Sequence, residues 1–369
     1  MSGVRVGLAT AADDAGLRDL ARREPVPGRI TIAYEREPDF FRGCRVLDDD
    51  AAVLVARAAD GAVVGVACRS TRDVSVNGEP IRLGYLGQLR VDRRFRGHWL
   101  VSRGYGLLAE LHASAPVPAY LAAIIDGSGE ATGVLVDRPR RRFPTFRPVA
   151  ACRTLALSTR GRDGRGAVGG VRAAAATDLS RVASFLAREG PRRQFTPIWS
   201  EAALRRLVGG FGLRVDDIQL AVDAGGAIRG VMAAWDQSAF KQSVVRGYGA
   251  AMRLAAPFYN AGASSLGRPR LPRAGETLRS AFAALVAVAD DDPAIAQPLL
   301  AATLRRAAAR GCDYLLVGAD ARDPLGAALA RVAPHVTYRS RLYLAEWDTE
   351  GHFHARLDGR PCAVDIATF

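Results

Sequence analysis

Short apolar runs alternate along the chain with stretches whose apolar residues recur every three or four positions, the periods of strands and of amphipathic helices. Arg5–Leu8 reads as a short strand, and Thr10–Asp14 opens a helix running to about Arg23, with Thr10 as its N-cap. Two apolar strands, Ala51–Arg57 and Ala62–Ser70, flank an Asp60-Gly61 hairpin signal, and a third, Ile81–Val91, follows a turn at Asn77-Gly78. A basic loop, Asp92–His98, then leads into a helix over Leu100–His112, where Val101, Tyr105, Leu108 and Leu111 keep helical spacing. A buried strand Ala119–Ile125, a weak helix Glu130–Asp137 and a strand Val149–Leu157 complete this half.

The stretch Ser158–Gly170 reads STRGRDGRGAVGG, rich in glycine and poor in apolar residues, and is expected to be a linker between domains 1–157 and 171–348. After it the pattern starts again. Strand Val171–Ala174, a helix from Thr177-Asp178 to Gly190, a helix from about Ser200, and strands Asp217–Asp223 and Ala227–Trp235 repeat the first order. Strand Ala281–Ala289, helix Pro293–Arg310, strand Asp313–Val317, a helix near Pro324–Val332 and strand Val336–Trp347 close the repeat, leaving a tail over 349–369. An insertion at about Ser238–Glu276, with one helix and a Gly/Pro/Arg-rich loop, has no counterpart in the first half.

A length of 369 residues, 49% hydrophobic and 24% charged, suits two globular domains. Apolar runs such as Ala281–Ala289 fall far short of the ~20 residues a bilayer span needs. The first twenty residues carry Asp13, Asp14 and Asp19 and no apolar signal core, so a soluble, cytoplasmic protein without a membrane partner is expected. Cys44, Cys68, Cys152, Cys312 and Cys362 form no CxxC pair and read as reduced thiols, mostly packed in cores, so neither a disulfide framework nor a metal site is expected. The net charge of +13 is diffuse, and of 51 basic residues only Lys241 is a lysine. Two clusters stand out, Arg90–Arg96 with four arginines in seven residues and Arg138–Arg142 with four in five. An anionic partner is one reading of such charge, and solvated loops are the other.

The segment Gly87–Leu100, GQLRVDRRFRGHWL, lies between a strand and a helix. A helix N-terminus presents unpaired N–H groups and a positive dipole end, and a glycine there lets backbone approach a pyrophosphate. The segment resembles the signature of the GNAT N-acetyltransferase superfamily, an apolar strand ending in valine followed by Arg/Gln-x-x-Gly-x-Gly/Ala. Val91, Arg94, Gly97 and Trp99 fall on those positions. Trp99 departs from the family's small residue, so its ring must either turn away from the phosphates or narrow the groove. The resemblance implies an α/β (α+β) fold of two GNAT-like domains, each a mixed, mostly antiparallel sheet flanked by helices. It also implies acetyl-CoA or another acyl-CoA as substrate, held by Leu89, Arg90, Val91, Arg94, Arg96, Gly97, His98, Trp99 and Leu100. At the matching junction of the second half, Val288–Pro293 carries Asp290, Asp291 and Asp292 and no arginine or glycine, so that half is expected to have lost its cofactor loop. One working and one degenerate half resembles tandem proteins such as mycothiol synthase and the FemABX aminoacyltransferases.

Acyl transfer to an amine needs a deprotonated nucleophile, a polarised thioester carbonyl and a protonated leaving thiolate. In the family the carbonyl is held by main-chain N–H groups, here near Leu89–Val91, the base is commonly a glutamate and the acid a tyrosine on the helix after the next strand. That helix, Glu130–Asp137, has no tyrosine, which leaves Glu130 and Tyr85 as the catalytic candidates. Tyr34, Glu35 and Gln88 are candidates for the acceptor side, joined from the second half by Gln237, Lys241, Arg246 and Tyr248. A small-molecule amine is the expected acceptor, nucleic acid is disfavoured, no metal is expected, and a homodimer is the assembly to test. Two rival readings stand beside this one: a FemABX-like transferase using aminoacyl-tRNA, for which the basic charge would be the RNA footprint, and a non-catalytic acyl-CoA or ligand-binding module.

Overall fold

The computed structural model describes residues 3–46, 51–96, 98–127, 129–137, 143–160, 170–263, 269–347 and 351–368. The first half runs β1 (Arg5–Leu8), α1 (Asp14–Arg23), β2 (Ile30–Glu35), α2 (Phe40–Cys44), β3 (Ala52–Arg57), β4 (Val63–Val76) and β5 (Glu79–Val91). It continues with α3 (His98–Ser114), β6 (Tyr120–Ile125), α4 (Gly129–Leu135) and β7 (Thr145–Ser158). The second half runs β8 (Val171–Ala173), α5 (Leu179–Glu189), β9 (Thr196–Pro197), α6 (Glu201–Gly210), β10 (Ile218–Val222) and β11 (Ile228–Trp235). There follow β12 (Gln242–Tyr248), α7 (Ala250–Ala263), β13 (Ser280–Val288), α8 (Pro293–Ala309), β14 (Tyr314–Asp320), α9 (Pro324–Leu329), β15 (His335–Glu346) and α10 (His352–Ala355).

The hairpin signals act as expected. Asn77 and Gly78 both take positive φ and join Val76 to its partner Glu79, so β4 and β5 continue to the tip of a two-residue turn, β4 well past Ser70. Helix starts are set by carboxylates: Asp39, Asp292 and Asp323 each accept a backbone N–H at the head of α2, α8 and α9.

The sheet is continuous rather than one per half. Its thirteen strands follow the order β1-β3-β4-β5-β6-β15-β7-β14-β13-β11-β10-β8, with β9 pairing β4. The order is symmetric about β15 and β7, and these two closing strands are exchanged: β15, from the second half, pairs β6, and β7, from the first, pairs β14. Two aligned sheets thus become one, and the halves are joined by main-chain hydrogen bonds along their longest strands. Each half carries helices on both faces. In the first, Leu17, Leu20 and Phe40 of α1 and α2 cover one face, and Tyr105 and Leu108 of α3 the other. In the second, Val182, Phe185 and Leu204 of α5 and α6 oppose Leu299, Leu300 and Leu325 of α8 and α9. Each such fully buried side chain contributes roughly 1.5–3 kcal/mol. Among the described residues no helix is long and apolar enough to cross a membrane.

The insertion departs from the sequence expectation. Besides the helix α7 it contributes β12, which pairs antiparallel with β2 from Gln242↔Glu35 to Tyr248↔Ile30, forming a ribbon between the halves. Tyr34 and Glu35, candidates for the acceptor side, therefore lie within β2 of this ribbon.

Candidate active site

On β5 the ladder to β4 slips between Val66 and Cys68, and Gln88 adopts φ 58°, a left-handed conformation uncommon for a non-glycine residue in a strand. On its other edge β5 pairs in parallel with β6 only at Gly84↔Tyr120 and Tyr85↔Leu121. Gly84 permits this approach, since a Cβ there would lie 2.0 Å from Cδ1 of Tyr120. Tyr120 cannot yield, because its hydroxyl is held by Arg69 Nε at 3.1 Å and His112 Nδ1 at 3.0 Å. Past Tyr85 the strands diverge, and Gln88, Leu89, Arg90 and Val91 face the opening.

At the end of β5 the chain turns into the first helical residues of α3, a seventeen-residue helix whose leading N–H groups have no intrahelical acceptor. The arginines of this loop are engaged by carboxylates. Asp92, 2% exposed, accepts Arg94 Nε at 3.1 Å and Nη2 at 2.9 Å, and the guanidinium lowers its pKa to about 2. Arg96 Nη2 meets Glu24 at 2.8 Å. Arg94 and Arg96 therefore brace the loop. Gly97 and the Arg138–Arg142 stretch lie outside the described residues, as do the side chains of His98 and Glu130. Trp99 is exposed, carries the Arg103 guanidinium over its ring at 5.5 Å, and is not part of the cavity wall. Leu100 is buried and lines the cavity beside Arg90.

The opening leads into a cavity of about 1200 Å³ that runs from the β5–β6 divergence across the central strands and under the β2–β12 ribbon and α7. Its wall near α3 is apolar, with Leu86, Tyr105, Leu108, Ile124 and Phe146, and its far end is aromatic, with Tyr259, Phe282, Tyr314 and Tyr338.

No protein-family model matches the chain, and no curated protein matches it by sequence. Solved structures do match. A GCN5-related N-acetyltransferase from Sphaerobacter thermophilus is 15% identical, with 93% of this chain and 96% of that one covered and a TM-score of 0.55. The Saccharomyces cerevisiae N-myristoyltransferase with bound myristoyl-CoA is 11% identical, covering 94% of this chain and 83% of that one, with a TM-score of 0.61. A GCN5-related glucosamine N-acetyltransferase region of a fungal multi-domain beta-N-acetylglucosaminidase is 14% identical over 93% of this chain and 38% of that one, with a TM-score of 0.59. The chain has the GNAT fold.

Within this GNAT fold the ribbon brings together Tyr34 and Glu35 from the first half and Arg246 and Tyr248 from the second. Tyr34 stands opposite Ser243 and Glu35 opposite Gln242, while Arg246 of β12 forms an ion pair with Glu35. Four of the acceptor-side candidates make structural contacts: Arg246 and Glu35 with each other, Tyr248 through its hydroxyl to the Pro272 carbonyl at 2.5 Å, and Gln237 through Nε2 to the Ala367 carbonyl at 2.7 Å. Tyr34, Tyr85, Gln88 and Lys241 line the cavity. Lys241 Nζ lies 4.4 Å from the centroid of Phe282 and 3.5 Å from the Ile366 carbonyl. Burial, reinforced by the positive charge of Arg36, lowers its pKa to about 7. Burial pushes the Tyr85 phenol up to about 12, so Tyr85 is a protonated hydroxyl at neutral pH.

Sequence reasoning did not mark Arg36, Cys44 or Cys68, which line a recess of about 40 Å³ that shares Tyr85, Gln88 and Lys241 with the large cavity. Arg36 stands next to the candidates Tyr34 and Glu35 but carries no motif, and the Cys44–Cys68 approach, with sulfurs 3.1 Å apart, depends on α2 lying on β4, which no spacing encodes.

Proposed function

We propose that the protein is an acyl-CoA-dependent N-acyltransferase acting on a small-molecule amine, with donor and acceptor meeting at the bulge of β5. The observation that supports this most directly is the left-handed Gln88 beside the β5–β6 divergence, at the head of α3 and open to the cavity. Such a gap admits a thioester arm between two strands, and main-chain N–H groups near Leu89–Val91 polarise its carbonyl. The α3 N-terminus takes the pyrophosphate. Tyr85, protonated, is the proton donor to the leaving thiolate, and the acceptor enters from beneath the β2–β12 ribbon. Glu130 is retained as a base candidate at the start of α4.

Acetyl-CoA is the first donor to test. The size of the apolar wall favours a second reading in which the acyl group is longer, and the similar yeast structure holds myristoyl-CoA. Thermal stabilisation by acetyl-, octanoyl- and myristoyl-CoA, followed by thiol release with a panel of amines, tests both. We expect stabilisation by at least one acyl-CoA and amine-dependent thiol release. No stabilisation by any of them would remove the reading.

A further inference from the structure

Arg36 follows β2 directly and is 3% exposed, yet no hydrogen bond or ion pair to it exists among the described residues, and its Nε is enclosed without a partner. Guanidinium groups stay protonated in proteins, so this is a fixed positive charge taken out of water. Burying one without a counter-charge is costly unless something else supplies the anion. Among the described residues no carboxylate does so: Glu35 faces Arg246, Glu37 faces Arg18 and Arg22, Asp39 accepts the Phe41 N–H at the head of α2, and Asp365 acts on Arg72 and Lys241. Arg90 and Lys241 add two further cations that sense Arg36.

The chain also makes room for this charge. A Cβ at Gly43 would lie 2.9 Å from Nη1 of Arg36, so any larger residue on α2 would displace the guanidinium from the recess. The recess it lines adjoins Tyr85, Gly87 and Gln88 of the bulge, where the nucleophile must arrive.

We propose that Arg36 is the anion-binding residue of the acceptor subsite, and that the acceptor is an amine that also carries a carboxylate. A planar guanidinium pairs with a carboxylate through two parallel hydrogen bonds, and a recess of about 40 Å³ accommodates a group of that size. Seating the carboxylate there leaves the amine end of the same molecule toward Gln88. The amine half of the assignment rests on the acyltransferase reading, whereas the anion site does not.

The test compares apolar amino acids with their primary amides and with the matching decarboxylated amines, together with inorganic phosphate, by thermal shift and calorimetry on the full chain. The wild type is expected to bind at least one amino acid tenfold or more tightly than its amide, the order of discrimination a charged hydrogen bond gives. Arg36→Met should abolish that preference and Arg36→Lys keep part of it, while acyl-CoA affinity stays the same in both. Ligand-free Arg36→Met should melt no lower than the wild type, because it relieves a buried charge. Equal binding of acid and amide by the wild type overturns the proposal, as does a preference that survives in Arg36→Met. Loss of acyl-CoA binding in a folded Arg36→Met also overturns it, by assigning the guanidinium to the donor. Stabilisation by phosphate but by no amino acid overturns the carboxylate assignment. Amino-acid binding without any acyl-CoA binding upholds the anion site and removes the acyltransferase reading instead.

Discussion

The two halves build the same junction and fill it differently. In each, a strand pairs in parallel with its neighbour and then parts from it, at Tyr85↔Leu121 in the first half and Phe282↔Leu316 in the second. Three residues further on, each strand carries a non-glycine residue at positive φ, Gln88 at 58° and Leu285 at 55°. The opposite ladder slips at the same place in both, and both junctions lead into a seventeen-residue helix. Even the entry to the first helix is repeated, with Asp13 bound by Arg57 and Asp178 by Arg172. The difference lies in what faces the gap. In the first half it opens on the cavity. In the second, Asp292 caps α8 through the Ala294 N–H, Asp291 holds Arg192 and Arg193, and residues Val364–Ile366 lie against Gly318 of β14. Backbone architecture alone does not make a cofactor site; the helix N-terminus must be left unsatisfied and the gap unfilled.

The largest effects should come from adding one methyl group to each junction. Gly84→Ala puts a Cβ 2.0 Å from the Tyr120 ring, and Gly318→Ala puts one 2.2 Å from the Val364 carbonyl oxygen. Both contacts are with immobile atoms, and overpacking of this kind costs ~1–3 kcal/mol. Denaturant midpoints should fall in both variants, whereas stabilisation by acyl-CoA should be lost only in Gly84→Ala. Equal loss in the two would mean that the halves do not divide the work.

Next in size are charge changes at the helix heads. Arg94→Glu and Gly97→Asp each place a carboxylate at the α3 loop, and acyl-CoA affinity should drop about tenfold or more, a change of ~1.4 kcal/mol. Asp292→Ala removes the α8 cap at a cost of ~1 kcal/mol in stability and should create no second site, so calorimetry should still find one acyl-CoA per chain. Two equivalent sites in the wild type would break the comparison.

Lys241 sharpens the comparison through pH. Its folded pKa, about 7, lies below the value of about 10.5 for a free lysine, so between these limits the unfolded chain binds the extra proton and stability from this residue rises with pH. Lys241→Met should flatten that rise. If the amine contacts Lys241 in its neutral form, kcat/KM will show a limb near pH 7 in the wild type that the variant lacks. A variant with wild-type kinetics at every pH would return Lys241 to a purely structural role.

Much of this fold was legible because the local signals agree with the tertiary outcome. The Asn77-Gly78 turn, the Leu100–His112 periodicity and the restart of the pattern at Val171 each correspond to an element of the structure. The exchange of β7 and β15 was not legible, because period-two alternation shows that a strand has two faces but does not name its neighbour. For the same reason β12 and its pairing with β2 passed unnoticed: Gln242–Tyr248 alternates weakly, and its partner lies in the other half. At the site, the motif located the loop, but which arginine is available depends on carboxylates brought in by α1 and by the loop itself. Glu24 and Asp92 occupy Arg96 and Arg94, while Arg36, outside any motif, is buried with no ion pair or side-chain hydrogen bond among the described residues.

The smallest expected effect is at Trp99, the position where the sequence departs from the family's small residue. If this indole occupied the groove, Trp99→Gly would open it and acyl-CoA would bind more tightly, making the first-half junction only a partial site. The structure places the ring outside the cavity wall, 41% exposed and stacked under Arg103, whose Nη1 also reaches the Val4 carbonyl at 2.7 Å. Removing the ring therefore costs an exposed cation–π contact worth ~0.5–1 kcal/mol, and a glycine in the first turn of α3 adds a similar helix penalty. Trp99→Ala separates the two, because alanine keeps helix propensity while deleting the ring. Acyl-CoA affinity measured by calorimetry should then change by less than about threefold, under ~0.7 kcal/mol, with a small drop in melting temperature. A tenfold gain in affinity in Trp99→Ala would show that the ring enters the groove in solution, and that the first-half junction is itself partly filled.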